Sequence, residues 1–149
     1  MAAKSPSSSG SGARAMLQGT PLGLYRDAWM GDDPLAVASL YSCAGERVEV
    51  GFERVFRGRA EIQAGAGEVM GAFAERRLAV DPVMMDDFGW VAAITWSAVQ
   101  RGPFRGYPAS NRWVQIPGLT VARLEEGLLV RERWYFDGVA LMRLLGARL

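Results

Sequence analysis

The chain has 149 residues, of which 50% are hydrophobic and 22% are charged, a composition typical of a single globular domain with an apolar core. Seventeen basic and 16 acidic residues leave a net charge of +1, so the basic excess typical of nucleic-acid binding is missing. The sequence has no histidine and one cysteine, which excludes an internal disulfide and the usual zinc sites. We expect no metal, no cofactor and no nucleic-acid partner, and acid–base chemistry would use Asp, Glu, Tyr or Arg.

The first residues differ in composition from the rest of the chain. Residues 1–15 are rich in Ser and Gly and contain no apolar run, so we expect a disordered tail followed by one domain over 16–149. The tail lacks the apolar region of a secretory signal, and no stretch of about 18 apolar residues is present to cross a membrane. We expect a cytoplasmic protein with no membrane partner.

The domain is predicted to begin with two helices. Thr20 and Asp33 are capping residues, and each is followed by a proline, Pro21 or Pro34, at the first helical position, where its missing N–H costs nothing. Apolar residues at helical spacing extend the second helix to Tyr41. A tight Gly-Asp-Asp corner joins the two helices.

The period then changes to two. A strand is predicted over 47–52, where apolar residues alternate with polar ones, and helical spacing returns after Gly58. Four further strands and a short helix follow, over 77–85, 90–100, 111–124, 128–136 and 138–145, with a bulge or bend at Pro117-Gly118. This order predicts an α+β fold in which one curved, mostly antiparallel sheet wraps around the N-terminal helices.

Five segments, in their order and spacing, resemble the nuclear-transport-factor-2-like superfamily, in particular its SnoaL-like polyketide cyclases, limonene epoxide hydrolases and ketosteroid isomerases. The segments are 28–32 (AWMGD), 56–62 (FRGRAEI), 117–127 (PGLTVARLEEG), 131–137 (RERWYFD) and 142–146 (MRLLG). The resemblance extends over about residues 18 to 146. It implies a cone-shaped domain in which the sheet and helices enclose a deep apolar pocket that holds a small-molecule substrate.

The resemblance also indicates where catalytic residues of the relatives would fall. The Arg and Asp that epoxide hydrolases carry two positions apart match Thr95 and Ser97, and their second Asp matches Trp134. The Asp base of ketosteroid isomerases matches Glu49. In this sequence, therefore, only the isomerase base retains a carboxyl group.

The last strand provides the main candidate for acid–base catalysis. Glu132, Trp134 and Phe136 share one face by strand parity. We expect a three-residue turn over 125–127 to pair Thr120 with Glu132 inside the pocket, so that the hydroxyl group can hydrogen-bond the carboxyl group. Burial disfavours the ionised form of a carboxyl group, which suits a general acid or base. The alternative is a glutamate at the pocket rim that pairs with an arginine.

Two other carboxylates are candidate catalytic residues. Glu49 either faces solvent, as the alternation in its strand indicates, or is a pocket base, as the resemblance implies. Asp137 either caps the last helix or takes part in catalysis. The side chains expected to contact substrate, some of which could equally belong to the core, are Thr95, Ser97, Thr120, Trp134, Phe136, Ile116 and Tyr25.

The strand over 90–100 also indicates an interface. If Thr95 and Ser97 face the pocket, then Trp90, Ile94 and Trp96 lie together on the outer face. An exposed apolar row of that size usually marks an interface, so we expect a homodimer that forms through this face of the sheet.

Together, the fold and the candidate residues indicate a cofactor-independent cyclase or isomerase. Its substrate would be a small, largely apolar, oxygenated metabolite of the polyketide or terpenoid kind, converted by general acid–base catalysis in an enclosed pocket. Two alternatives remain open. One is a non-catalytic ligand-binding or assembly domain of the same fold, and the other is an epoxide hydrolase with a rearranged set of acids.

Overall fold

The computed structural model describes residues 17–148, so the tail predicted over 1–15 lies outside the described residues. The described chain begins with two helices and ends with a third short one, and a longer helix separates the second strand from the third. The elements in chain order are α1 (Pro21–Met30), α2 (Pro34–Ala38), β1 (Tyr41–Glu49), β2 (Arg54–Arg57), α3 (Gly58–Ala72), β3 (Phe73–Asp86), β4 (Gly89–Gln100), β5 (Trp113–Glu125), β6 (Leu128–Phe136) and α4 (Gly138–Leu144), with a single 3-10 turn at Val50–Phe52.

Six strands form one open sheet in the order β2-β1-β6-β5-β4-β3. Neighbouring strands are antiparallel except β1 and β6, which are parallel. The core lies between the sheet and the helices, where α1 and α3 pack their apolar residues against the inner face of the sheet. This arrangement confirms the predicted α+β class. Among residues 17–148, no helix has the length and apolar character needed to cross a membrane.

Local hydrogen bonds explain where the first two helices begin. The hydroxyl oxygen of Thr20 accepts from the backbone N–H of Gly23 at 3.1 Å, and the carboxylate of Asp33 accepts from that of Leu35 at 2.9 Å. Each cap satisfies a backbone donor that the first helical turn leaves free. The two helix starts are therefore confirmed, although α2 ends at Ala38, earlier than predicted.

The first strand differs most from its prediction. It covers Tyr41–Glu49 rather than 47–52, and two of its charged residues point inward: Arg47 and Glu49 are buried, whereas Val50 is exposed. Glu49 is therefore not solvent-facing. Alternation shows which residues share a face of a strand but not which face is the inner one. Here the inner face carries the charges because each of them meets an oppositely charged partner.

The prediction also assigned the two faces of β4 the wrong way round. Trp90, Ile94 and Trp96 point into the protein and are only 3%, 4% and 6% exposed, while Thr95 and Ser97 lie on the opposite face. The prediction failed because both faces of this central strand are largely covered, so its pattern does not distinguish them. The three apolar side chains are not available to form the expected dimer face, and homodimerisation remains a prediction without an assigned surface.

The bulge expected at Pro117-Gly118 is absent as well. The pairing of β4 with β5 runs without a shift past Pro117 and Gly118, so no bulge interrupts it there. The irregularity lies instead in the β5–β6 hairpin, between Arg123 and Leu124.

One close backbone contact fixes the position of α4. A Cβ atom at Gly138, the first residue of this helix, would overlap the carbonyl oxygen of Gly51, whereas a Cβ at Gly71 in α3 would meet nothing within 4 Å. We expect Gly138→Ala to lower the free energy of unfolding by about 1–3 kcal/mol through overpacking. Gly71→Ala should leave it unchanged or raise it by up to about 1 kcal/mol. Urea denaturation of both variants checks this, and equal stabilities would contradict the contact.

Candidate active site

The most buried carboxylate of the described chain is the acceptor of four side-chain donors. Glu132 on β6 has no solvent exposure. Its Oε1 accepts from the hydroxyl of Tyr25 at 2.8 Å and from that of Thr120 at 2.9 Å. Its Oε2 forms an ion pair with Arg47 and accepts from the hydroxyl of Tyr41 at 3.5 Å. The cluster therefore ties α1, β1, β5 and β6 together around one negative charge.

The hydrogen bond expected between Thr120 and Glu132 is present, although the strand pairing differs from the expectation. Thr120 faces Trp134 across the hairpin, and Glu132 faces Ala122. The hydroxyl reaches the carboxylate diagonally along the inner face. It also accepts from the indole N–H of Trp90 at 3.2 Å, so Thr120 is held on both sides.

Electrostatics fixes the protonation of the donors around Glu132. Burial, followed by the adjacent Glu132 carboxylate, raises the pKa of Tyr25 and of Tyr41 well above the ordinary tyrosine value. For Arg47, burial works to lower the pKa, but the Glu132 carboxylate together with Tyr25, Tyr41 and Glu49 outweighs it, and the pKa is raised. At neutral pH the two tyrosines are therefore protonated donors and Arg47 carries its charge.

The guanidinium group of Arg47 lies over the indole ring of Trp29, with its central carbon 4.5 Å from the ring centroid. A second indole, that of Trp134, has its centroid 5.8 Å away. Such cation–π contacts stabilise a desolvated guanidinium group. Together with the ion pair to Glu132, they hold Arg47 in one orientation.

A cavity lies beside this cluster. Its polar lining residues are Tyr25, Arg47 and Glu49, and its other walls are aromatic or aliphatic: Trp29, Phe52, Val69, Phe73, Leu78, Ile94, Trp96, Phe104, Trp134 and Leu141. The volume open to the centre of a water-sized sphere is about 30 Å³, enough for about two water molecules. A metabolite can occupy this site only if the side chains around it move apart.

Glu132 is not part of the cavity wall. It lies behind Tyr25 and Arg47, both of which line the cavity, and its carboxylate contacts a ligand only through these two side chains. Glu49, by contrast, lines the cavity itself. Of the three candidate carboxylates, Glu49 is therefore the one in a position to meet a ligand directly.

Glu49 is paired with an arginine that the sequence analysis did not identify. Arg105, in the loop between β4 and β5, donates to the two carboxylate oxygens of Glu49 at 2.8 and 3.0 Å. Its Nε donates to Glu68 of α3 at 3.1 Å, and Arg54 of β2 pairs with the same Glu68 at 3.2 Å. Burial disfavours the charged form of Arg105, but its two carboxylate partners raise its pKa overall.

The remaining candidate residues have varied positions. Tyr25 and Trp134 line the cavity. Ile116 is buried in the core, and the ring of Phe136 packs against that of Trp134, with centroids 4.2 Å apart. Asp137 is exposed and caps α4 by accepting from the backbone N–H of Ala140 at 2.9 Å.

No group of three or more Cys, Asp or Glu side chains within residues 17–148 is arranged to hold a metal ion. The polar side chains that line the cavity are a guanidinium group, a carboxylate and a tyrosine hydroxyl, and the rest of the wall is aromatic or aliphatic.

Comparison with known proteins identifies the family. The family model of the SnoaL-like polyketide cyclases matches residues 20–145, and the chain belongs to this family. No curated protein gives a significant match.

Solved structures share the fold. TsrD from Streptomyces laurentii is 24% identical with a TM-score of 0.73, and the alignment covers 91% of this chain and 97% of that one. A candidate polyketide cyclase from Xanthomonas campestris pv. campestris is 14% identical, with a TM-score of 0.74 and coverage of 90% and 98%. AclR, a candidate hydroxylase from Streptomyces galilaeus, is 17% identical, with a TM-score of 0.72 and coverage of 93% and 87%.

The buried ion pair generates a stability prediction. Glu132→Gln removes the negative partner of Arg47 and leaves a buried charge uncompensated, so we expect the free energy of unfolding to fall by about 3–5 kcal/mol. Glu125→Gln is the matched control, because Glu125 pairs with Arg123 at the exposed hairpin end, where such a pair is worth about 0–1 kcal/mol. Urea denaturation measures both. A loss below about 1 kcal/mol for Glu132→Gln would show that the pair does not organise the site.

The two buried tyrosines generate a pH prediction. Their pKa values are raised on folding, so the stability that they contribute is complete below the unfolded-state pKa of about 10 and is lost as the pH rises above it. We expect the free energy of unfolding to fall above pH 10 by about 1.4 kcal/mol per pH unit for each of Tyr25 and Tyr41. Tyr25→Phe and Tyr41→Phe should each make this slope shallower, as denaturation at several alkaline pH values would reveal. An unchanged slope in both variants would contradict the assignment.

Proposed function

We propose that the protein is a cyclase or isomerase that acts on a small, largely apolar, oxygenated metabolite of the polyketide or terpenoid kind. Catalysis is by proton transfer within the aromatic cavity. The observation that carries the proposal is that Arg47 and Glu49 lie two residues apart on the inner face of β1 and both line the same cavity. A positive group and a carboxylate on one wall are what the deprotonation of a carbon next to a carbonyl group requires.

The reaction begins at the acidic C–H bond of the substrate. Glu49 takes the proton, the electron pair of the C–H bond becomes the carbon–carbon double bond of an enolate, and the carbonyl electron pair moves to the oxygen. Arg47 stabilises the negative charge on that oxygen. Where the substrate has a double bond between its β and γ carbons, the enolate is conjugated with it, and return of the proton to the γ carbon gives isomerisation. Attack of the enolate carbon on a second carbonyl group, followed by protonation of the new alkoxide by Glu49, gives cyclisation.

Glu49 retains the capacity for this role despite its ion pair. A carboxylate has about four lone-pair sites, and Arg105 occupies one on each oxygen. The remaining lone pairs can accept a proton. Arg105 also keeps the carboxylate in one orientation, which preorganises it toward the cavity.

Glu132 has a positioning role in this mechanism. It holds the guanidinium group of Arg47 and the hydroxyl of Tyr25 at the cavity wall and does not itself contact the substrate. The charge of Arg47 is thus presented to the reacting oxygen without reorganisation during the reaction.

A second function is favoured by two observations. Both oxygens of Glu49 are held by Arg105, and the cavity is narrow, so the same site could bind a ligand without transforming it. A ligand-binding domain of this kind would retain ligand affinity but would not exchange ligand protons with solvent.

Hydrogen–deuterium exchange of 2-tetralone in D2O, followed by NMR, distinguishes the two functions. The proposed enzyme should accelerate exchange at the carbons next to the carbonyl group. Glu49→Gln should lower the rate above background by about 10²–10⁴-fold, the usual contribution of a general base, with an unchanged fold by circular dichroism.

Asp137→Asn is the matched control, since asparagine caps a helix about as well as aspartate and Asp137 lies outside the cavity. Its exchange rate should equal that of the unmodified protein. Exchange that survives Glu49→Gln, or that is lost in Asp137→Asn, would contradict the assignment of Glu49. The absence of accelerated exchange for tetralones and related cyclic ketones would favour the ligand-binding function.

A further inference from the structure

We infer that the cavity selects an uncharged ligand that binds through an acceptor oxygen, and that Glu49 sets this selectivity by excluding carboxylates. The inference rests on the proposed function only in taking the cavity as the substrate site. It concerns binding, so it can be tested without turnover.

The charges around the cavity cancel in pairs. The positive charge of Arg47 is balanced by Glu132 behind it, and the negative charge of Glu49 is balanced by Arg105. The outer pair, Glu68 with Arg54, also cancels. A neutral ligand leaves this balance intact. A carboxylate would add one uncompensated negative charge beside Glu49 in a largely desolvated space, where like charges repel strongly.

The residues that line the cavity have more unused hydrogen-bond donors than unused acceptors. The indole N–H groups of Trp29 and Trp134 are buried and have no hydrogen-bond partner within the described residues. Arg47 uses only Nη1 in its side-chain hydrogen bonds, and no bond from its Nε or Nη2 is found among residues 17–148. A buried donor without a partner costs about 1–3 kcal/mol, so a ligand oxygen that reaches these groups gains affinity.

Most acceptor lone pairs of these residues are already occupied. Arg105 donates to both oxygens of Glu49, and the four donors around Glu132 take up its carboxylate. A ligand donor would find few free acceptors. Aromatic rings form much of the wall, and flat π surfaces pack well against such rings. The ligand class is therefore a planar, uncharged carbonyl compound.

Acetophenone and benzoate provide a matched pair of probes, because they share a ring and a carbonyl oxygen and differ in charge. Titration of each into the unmodified protein at pH 7, followed by the indole ¹⁵N–¹H signals in NMR, gives the two dissociation constants. We expect acetophenone to bind at least about tenfold more tightly than benzoate. The indole signals of Trp29 and Trp134, assigned with Trp→Phe variants, should shift most.

Two single-charge variants test the role of Glu49. Glu49→Gln removes a negative charge at the cavity wall and keeps the side-chain shape, and we expect it to shift the benzoate-to-acetophenone preference by at least about tenfold toward benzoate. Glu68→Gln removes the same charge from the other partner of Arg105, outside the cavity lining, and should shift the preference by less than about threefold.

Equal binding of the two probes to the unmodified protein, tighter binding of benzoate, or no binding of either would overturn the inference. So would an equal shift in the two variants. If Glu49→Gln fails to fold, the comparison of the two probes in the unmodified protein still decides the matter. A preference for acetophenone without accelerated proton exchange would support the inference but contradict the proposed catalysis. The inference and the proposed function can therefore fail separately.

Discussion

The buried ion pair of Arg47 and Glu132 is the interaction on which the site depends. Removing two charges from water is costly, and a buried pair often contributes little net stability. In this protein the effect of the pair is to hold the guanidinium group of Arg47 in one orientation. Glu132 accepts from Arg47, Tyr25, Tyr41 and Thr120, so the first helix and three strands must be in register for every donor to reach the carboxylate. The result is a guanidinium group fixed at the wall of an aromatic cavity.

The ion pair between Arg105 and Glu49 differs from that of Arg47 and Glu132 because its arginine lies in a loop. Arg105 comes from a loop, and its backbone adopts a left-handed conformation with φ of 46°. It reaches Glu49 on β1 and Glu68 on α3, so it connects the loop to a strand and to a helix. The Arg47 pair is enclosed by strands and a helix, whereas the Arg105 pair joins β1 to a connecting segment.

The sequence allowed the fold class, the helix starts and the inward position of Glu132 to be predicted, because capping residues and the pattern of β6 are local signals. The inner faces of β1 and β4 could not be assigned in this way. A period of two groups Arg47 with Glu49, and Trp96 with Ile94, but leaves open which group is buried. A charged inner face is the less expected choice, and it becomes stable only through partners that are distant in sequence. Arg105 is 56 positions from Glu49, and no pattern in its loop indicates that contact.

Membership of the SnoaL-like polyketide cyclase family and the shared fold establish the architecture, while the site carries the chemical argument. We propose that the ligand oxygen binds to Nε or Nη2 of Arg47, which form none of the hydrogen bonds found for Arg47 among the described residues. A crystal structure of the protein soaked with an aryl ketone tests it most directly. The expected result is a carbonyl oxygen about 3 Å from Nε or Nη2 of Arg47, with the ring among the aromatic walls. A ketone bound outside the cavity, or with its oxygen directed away from Arg47, would contradict the claim.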